Sequence, residues 1–140
     1  MEVLACNERT LTELDHVRLA RLVRHLGDAT PSALASFVDD VLDASHVVSS
    51  RDVLPDIVTM NSQVELADLA TGQRHRLTVC YPADAQPALG AVSVLSPVGA
   101  ALIGQRVGSI ARWQTPNGKE VAAKVEALLF QPEASGDYTS

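Results

Sequence analysis

The 140-residue chain is 46% apolar and 20% charged, a balance that supports one ordinary core and excludes an intrinsically disordered chain. Its formal charge is −6, with eleven scattered Lys and Arg. The cationic stripe of a nucleic-acid binder is missing, so direct sequence-specific DNA or RNA binding is not expected.

Cys6 and Cys80 stand apart without Cys-x-x-Cys or Cys/His spacing, which argues against a zinc site or disulfide framework and for a reducing cytoplasm. Met1 to Glu8 has no basic segment leading into an apolar run, and no stretch is long enough to span a bilayer. The expectation is therefore a protein neither exported nor inserted in a membrane.

In chain order, Thr10 followed by Glu13 has capping-box spacing, predicting a helix start there. Leu11, Leu14, Val17, Leu22, Val23 and Leu26 then recur at three- and four-residue steps, with Arg18, Arg21 and Arg24 mostly on the other side. This spacing predicts an amphipathic helix ending near Gly27. Thr30-Pro31 offers a second start, and Leu34, Phe37, Val38, Val41 and Leu42 form one stripe. The short connection predicts an antiparallel helical hairpin, a short coiled coil occupying residues 1–48.

Ser49 to Pro55 reads as a connector into a second unit, residues 49–140. Candidate strands there are Ile57-Val58, Val64 to Leu69, Leu77 to Tyr81, Val92 to Leu95, Ile110 to Trp113 and Val121 to Phe130. In the last of these Val121, Ala123, Val125, Ala127 and Leu129 alternate, predicting one core face. Pro116-Asn117-Gly118 supplies the hairpin turn before it. Ser96-Pro97 opens a short helix through Ile103, closed by Gly104. The expected fold is α+β, with an antiparallel sheet and one short helix behind the helical hairpin. The tail from Gln131 to Ser140 has no periodicity, and pattern alone leaves it unstructured.

Convergent chemistry is scarce. His16, His25, His46 and His75 lack metal-ligand spacing. Asp39 and Asp43 stand one helical turn apart beside Asp40, a spacing that suits a solvated helix face better than a cation site. There is no Gly-x-Ser-x-Gly elbow and no phosphate loop. Trp113 and Tyr81 are best read as packing against the sheet. The residues point to no catalytic group, no metal and no cofactor, hence not to an enzyme.

Four ordered segments carry a family resemblance. Val58-Thr59-Met60-Asn61-Ser62, Tyr81-Pro82-Ala83 and the run from Ser93 through Ser96-Pro97-Val98-Gly99 to Gly108 resemble the C-terminal domain of the Gre-factor superfamily. Gln131-Pro132-Glu133-Ala134-Ser135-Gly136-Asp137-Tyr138, with the short hairpin, resembles the regulators of nucleoside diphosphate kinase within that superfamily.

The resemblance implies an FKBP-like domain behind a coiled-coil hairpin and a bacterial transcription regulator that binds RNA polymerase. Docking would be on the β′ coiled coil near the secondary channel, by a monomer. Ser96 and Pro97 are the implied contacts, with Leu95, Val98, Ala101 and Leu102 as neighbours. Gre factors carry arginine where this chain has Ala100.

They also place an acidic pair at the hairpin tip, where this chain has Asp28 alone. Two carboxylates help hold a second Mg²⁺ for transcript hydrolysis, and one does not reproduce that arrangement. Arms of about 16 residues span only about 25 Å. The expectation is competition with Gre-type factors without stimulation of transcript cleavage. The alternatives are a cleavage factor using Asp28 with a carboxylate of the second helix, and an FKBP-type peptidyl-prolyl isomerase suggested by fold alone.

Overall fold

The computed structural model describes residues 9–26, 32–115 and 118–136. The Thr30-Pro31 start, the Asp28 tip, Pro116-Asn117 and the end of the tail, Tyr138 included, lie outside the described residues. The chain is mixed α and β. Strand β1 (Thr10–Thr12) leads into helices α1 (Glu13–Leu26) and α2 (Ser32–Ala44), then strand β2 (His46–Val48). Strands β3 (Gln63–Asp68), β4 (Arg74–Cys80) and β5 (Ala91–Ser93) precede helix α3 (Pro97–Leu102), followed by β6 (Ile110–Gln114) and β7 (Glu120–Phe130).

The start of α1 differs from the capping box expected at Thr10. Thr10 to Thr12 instead pair in parallel with His46 to Val48, and Thr10 also donates its N–H to Gly104 O at 3.0 Å. The cap moves two residues on, where the buried Thr12 hydroxyl accepts the Asp15 N–H at 3.0 Å. Both three-residue strands escaped the sequence pattern because each is defined by a partner more than thirty residues away.

The five-stranded sheet has the order β5-β4-β3-β7-β6. It is not wholly antiparallel as expected, because β4 and β5 run parallel. The long crossover from Tyr81 to Gly90, with short 3-10 turns at Pro82–Asp84 and Pro87–Leu89, makes that pairing possible. Ile57 forms only an isolated bridge to Arg106, so Ile57-Val58 is not a strand.

Alternation along β7 also fails midway. Leu66 faces Val125 while Glu65 faces Ala127, and Val64 faces Leu128 while Gln63 faces Phe130. An extra residue is inserted at each irregularity, and each insertion reverses side-chain parity. Ala123 and Val125 point into the core as expected, but Leu128 then replaces Ala127 and Leu129 as the packed residue. Leu129 is left 43% exposed.

Both halves of the chain contribute to the core. Leu11, Leu19, Val38 and Val41 from the N-terminal segment join Met60, Val64, Val79, Val94, Leu102, Ile103 and Val125 in a single cluster. The amphipathic stripes of α1 and α2 are thus covered by the sheet and α3 as well as by each other.

Candidate functional site

The Ser96-Pro97 turn is built by two serines. Ser96 caps α3 by accepting the Gly99 N–H on its hydroxyl at 3.1 Å, and that hydroxyl donates to Ser93 O at 2.6 Å. Ser93 Oγ accepts the Leu95 N–H at 3.0 Å. Pro97 takes the first helical position, where no amide hydrogen is needed. Gly99 lies so close to the preceding strand that a Cβ there would fall 2.0 Å from Ser93 O. This close approach lets α3 fold straight back over the sheet.

Among the six expected contact residues, Pro97 is exposed, while Ser96 and Val98 are half-buried. Leu95, Ala101 and Leu102 are 8%, 1% and 0% exposed. Those three are the floor of the turn, and Ser96, Pro97 and Val98 form its accessible side. Ala100, the position where Gre factors carry arginine, is buried as well.

Underneath, Arg9 grips the far end of α3. One guanidinium nitrogen donates to Ala100 O at 2.8 Å and Ile103 O at 2.9 Å, satisfying carbonyls the short helix leaves unpaired. Burial lowers its pKa to about 10, which leaves it charged at neutral pH. The same guanidinium lies 5.4 Å from the centre of the Phe37 ring. The N-terminal segment is thereby clamped to the back of the turn.

A second joint lies at Val58 to Ser62, where Asn61 has φ +67°. Asp15 of α1 is 1% exposed and accepts the Met60 N–H at 3.0 Å. Burial raises its pKa to about 6; the Met60 bond opposes this, and the nearby Glu133 charge reinforces it. Thr59 donates its hydroxyl to Glu133 at 2.6 Å, while its N–H donates to Ser62 Oγ at 2.9 Å. Gln131 donates to Leu54 O at 2.8 Å and to Ile57 O at 2.7 Å. Gln131, Pro132 and Glu133 are thus buried structure, not the unpatterned tail expected.

Beside this joint, Arg18 donates to the Tyr81 hydroxyl at 2.6 Å and lies over its ring, 5.7 Å from the centre. Burial moves the Tyr81 pKa upward against the opposing effect of Arg18. Tyr81 therefore packs against α1 rather than only on the sheet. Sequence reasoning missed Arg9, Asp15 and Glu133. An acidic residue at the third position after Thr12, next to Leu14, was the one available signal for Asp15.

Among the described residues no group of three or more His, Cys, Asp or Glu stands together as metal ligands. Asp39, Asp40 and Asp43 are exposed on α2. No described helix is long and apolar enough to cross a membrane.

The geometry coincides with a family match. The GreA/GreB transcription elongation factor C-terminal profile matches residues 53–129. A regulator of nucleoside diphosphate kinase from Escherichia coli (strain K12) is 39% identical over 75% of this chain and 77% of its own length. A transcription elongation factor GreA from Solidesulfovibrio magneticus is 30% identical over 75% of this chain and 64% of that protein. In three dimensions, a GreA/GreB elongation factor from Nitrosomonas europaea superposes with TM-score 0.72 and 28% identity, covering 88% of this chain and all of that one. The chain therefore belongs to the GreA/GreB C-terminal family and groups with its regulators of nucleoside diphosphate kinase.

Proposed function

We propose that this protein is a bacterial transcription regulator that docks on RNA polymerase through the Ser96-Pro97-Val98 turn, at the β′ coiled coil near the secondary channel. The observation that carries the reading is the construction of the turn. An exposed proline is presented on a helix whose start is capped by Ser96, whose underside is buried and whose end is held by Arg9. A surface fixed before contact loses little conformational entropy on binding.

In this reading the sheet with α3 is an FKBP-like gripping unit, residues 49–140, and α1 with α2 is a short hairpin prong, residues 1–48. The prong carries Asp28 in place of an acidic pair. The protein acts in the cytoplasm as a monomer, competes with Gre-type factors for one entrance, does not stimulate cleavage, and influences nucleoside diphosphate kinase through transcription.

The test is retention on immobilised core polymerase of wild type and Pro97→Ala, with Gre-stimulated transcript cleavage measured at rising protein concentration. The expected outcome is retention of wild type, several-fold weaker retention of the variant with an unchanged melting curve, and suppression of cleavage by wild type only. Failure of wild type to bind, or cleavage stimulated by the protein itself, overturns the proposal.

A further inference from the structure

We infer a second interaction surface, separate from the turn: the open edge of β6 takes an extended segment of a partner protein as an added strand, in which an acidic residue flanked by apolar ones sits opposite Arg112. β6 ends the order β5-β4-β3-β7-β6, so one of its sides has no neighbouring strand.

The register of β6 on β7 fixes which backbone groups face outward. Val125 donates its N–H to Ser109 O at 2.9 Å and Thr115 donates to Lys119 O at 2.9 Å, in the same register that sets Ala111 against Ala123 and Trp113 against Val121. Bonded and non-bonded pairs alternate along an antiparallel ladder. Ile110, Arg112 and Gln114 therefore turn their N–H and C=O groups away from β7, and those groups have no hydrogen-bond partner among the described residues. The opposite edge of the sheet differs, because Ala91 of β5 exchanges backbone bonds of 2.8 and 3.2 Å with Gln86 of its own crossover. β6 contains no proline, glycine or register shift, so its backbone presents no obstacle to strand addition.

Beside this edge a groove of about 310 Å³ separates β6 from α2. Its β6 wall is Ile110 and Arg112, and its α2 wall includes Phe37, Val41 and Ala44. Ala111 and Trp113 pack toward the core, which places the exposed Arg112 side chain on the outer face. A residue set opposite Arg112 shares that face, and its two neighbours point the other way, toward the groove. Arg112 has no carboxylate partner among the described residues. The matching pattern is apolar, acidic, apolar.

Charge also decides against a second copy of this chain. Two-fold antiparallel pairing of β6 with itself, in the register that uses the whole strand, centres on Arg112 and sets two guanidinium groups directly opposite, a destabilising arrangement. A carboxylate in that position turns repulsion into attraction.

The test follows amide resonances of the isotope-labelled full chain during titration with the end-blocked peptide Thr-Val-Glu-Val-Thr, and with the same peptide carrying lysine in place of glutamate. Arg112→Glu reverses the exposed charge, and Gln114→Pro removes one outward N–H from the edge. Expected are saturable shifts of the Ile110, Arg112 and Gln114 amides, with the glutamate peptide binding at least about threefold tighter than the lysine peptide. Arg112→Glu should reverse that preference, and Gln114→Pro should bind at least about threefold more weakly. The charge swap decides by itself if Gln114→Pro does not fold. The inference is overturned by absence of saturable shifts at these amides, by equal binding of the two peptides, or by a folded Gln114→Pro that binds as well as wild type. Shifts of the same amides on concentrating the chain alone give the edge to a second copy and overturn it too.

Discussion

The Ser96-Pro97 turn and the Val58 to Ser62 joint both sit on the common core, but they are built in opposite ways. The turn is apolar beneath and open at its tip: Leu95, Ala101 and Leu102 are buried while Pro97 meets solvent. The joint is polar and closed, with Thr59, Ser62, Asp15 and Glu133 all buried and bonded to one another or to backbone. An exposed tip on a packed base suits contact with another molecule. Enclosed hydrogen bonds hold α1, the loop and the Glu133–Ser135 turn in one register. Two segments that both mark the family thus do different work, and only one faces outward.

The largest effect is expected at the base of the turn. Gly99→Ala drives a methyl group into the Ser93 carbonyl, and because the obstacle is backbone, relief requires α3 to move. Destabilisation of at least about 3 kcal/mol is expected, measured as a urea midpoint shift. A variant as stable as wild type breaks the claim that close backbone approach fixes the turn.

At the joint, the effect depends on pH. The folded pKa of Asp15 is raised from 3.8 to about 6, so the folded state binds the proton more tightly than the unfolded state. Its contribution is therefore favourable below about pH 4, is lost as pH rises through about 4 to 6, and stays lost above that window. The full change is about 3 kcal/mol at most. Asp15→Asn keeps an oxygen for the Met60 N–H and removes the ionisation. It should be more stable than wild type at pH 7 and nearly equal at pH 4, as judged by urea melts at both values. An equal difference at the two pH values refutes the account.

The smallest effect is expected from Glu133→Gln, which retains an oxygen for the Thr59 hydroxyl and removes a charge that raises the Asp15 pKa. The Asp15 carboxyl should then titrate lower, by less than about one unit, as read from its side-chain carbon resonance. An unchanged titration places the whole shift in burial.

The turn was legible in the sequence because its determinants are local: a serine cap, proline at the first helical position and an apolar run closed by glycine lie within nine residues. The two long helices were legible for the same reason, since one repeating stripe defines each. The joint was not, because Asp15, Met60 and Glu133 come together only in the fold. The irregularities in β7 were equally hidden, as an inserted residue shows only against the partner strand. Leu102 was legible as a core residue, whereas burial of Leu95 and Ala101 was obscured by a family resemblance that spans the whole segment without distinguishing its sides.

Arg9 lies just before β1, yet its guanidinium closes the end of α3, more than ninety residues onward. Cutting or loosening the leading segment therefore withdraws a charged plug from behind the turn. A shortened form lacking that residue would keep Ser96 and Pro97 in its sequence but lose the backing that aims them, so in the proposed reading recognition depends on Arg9 as well as on the residues that touch.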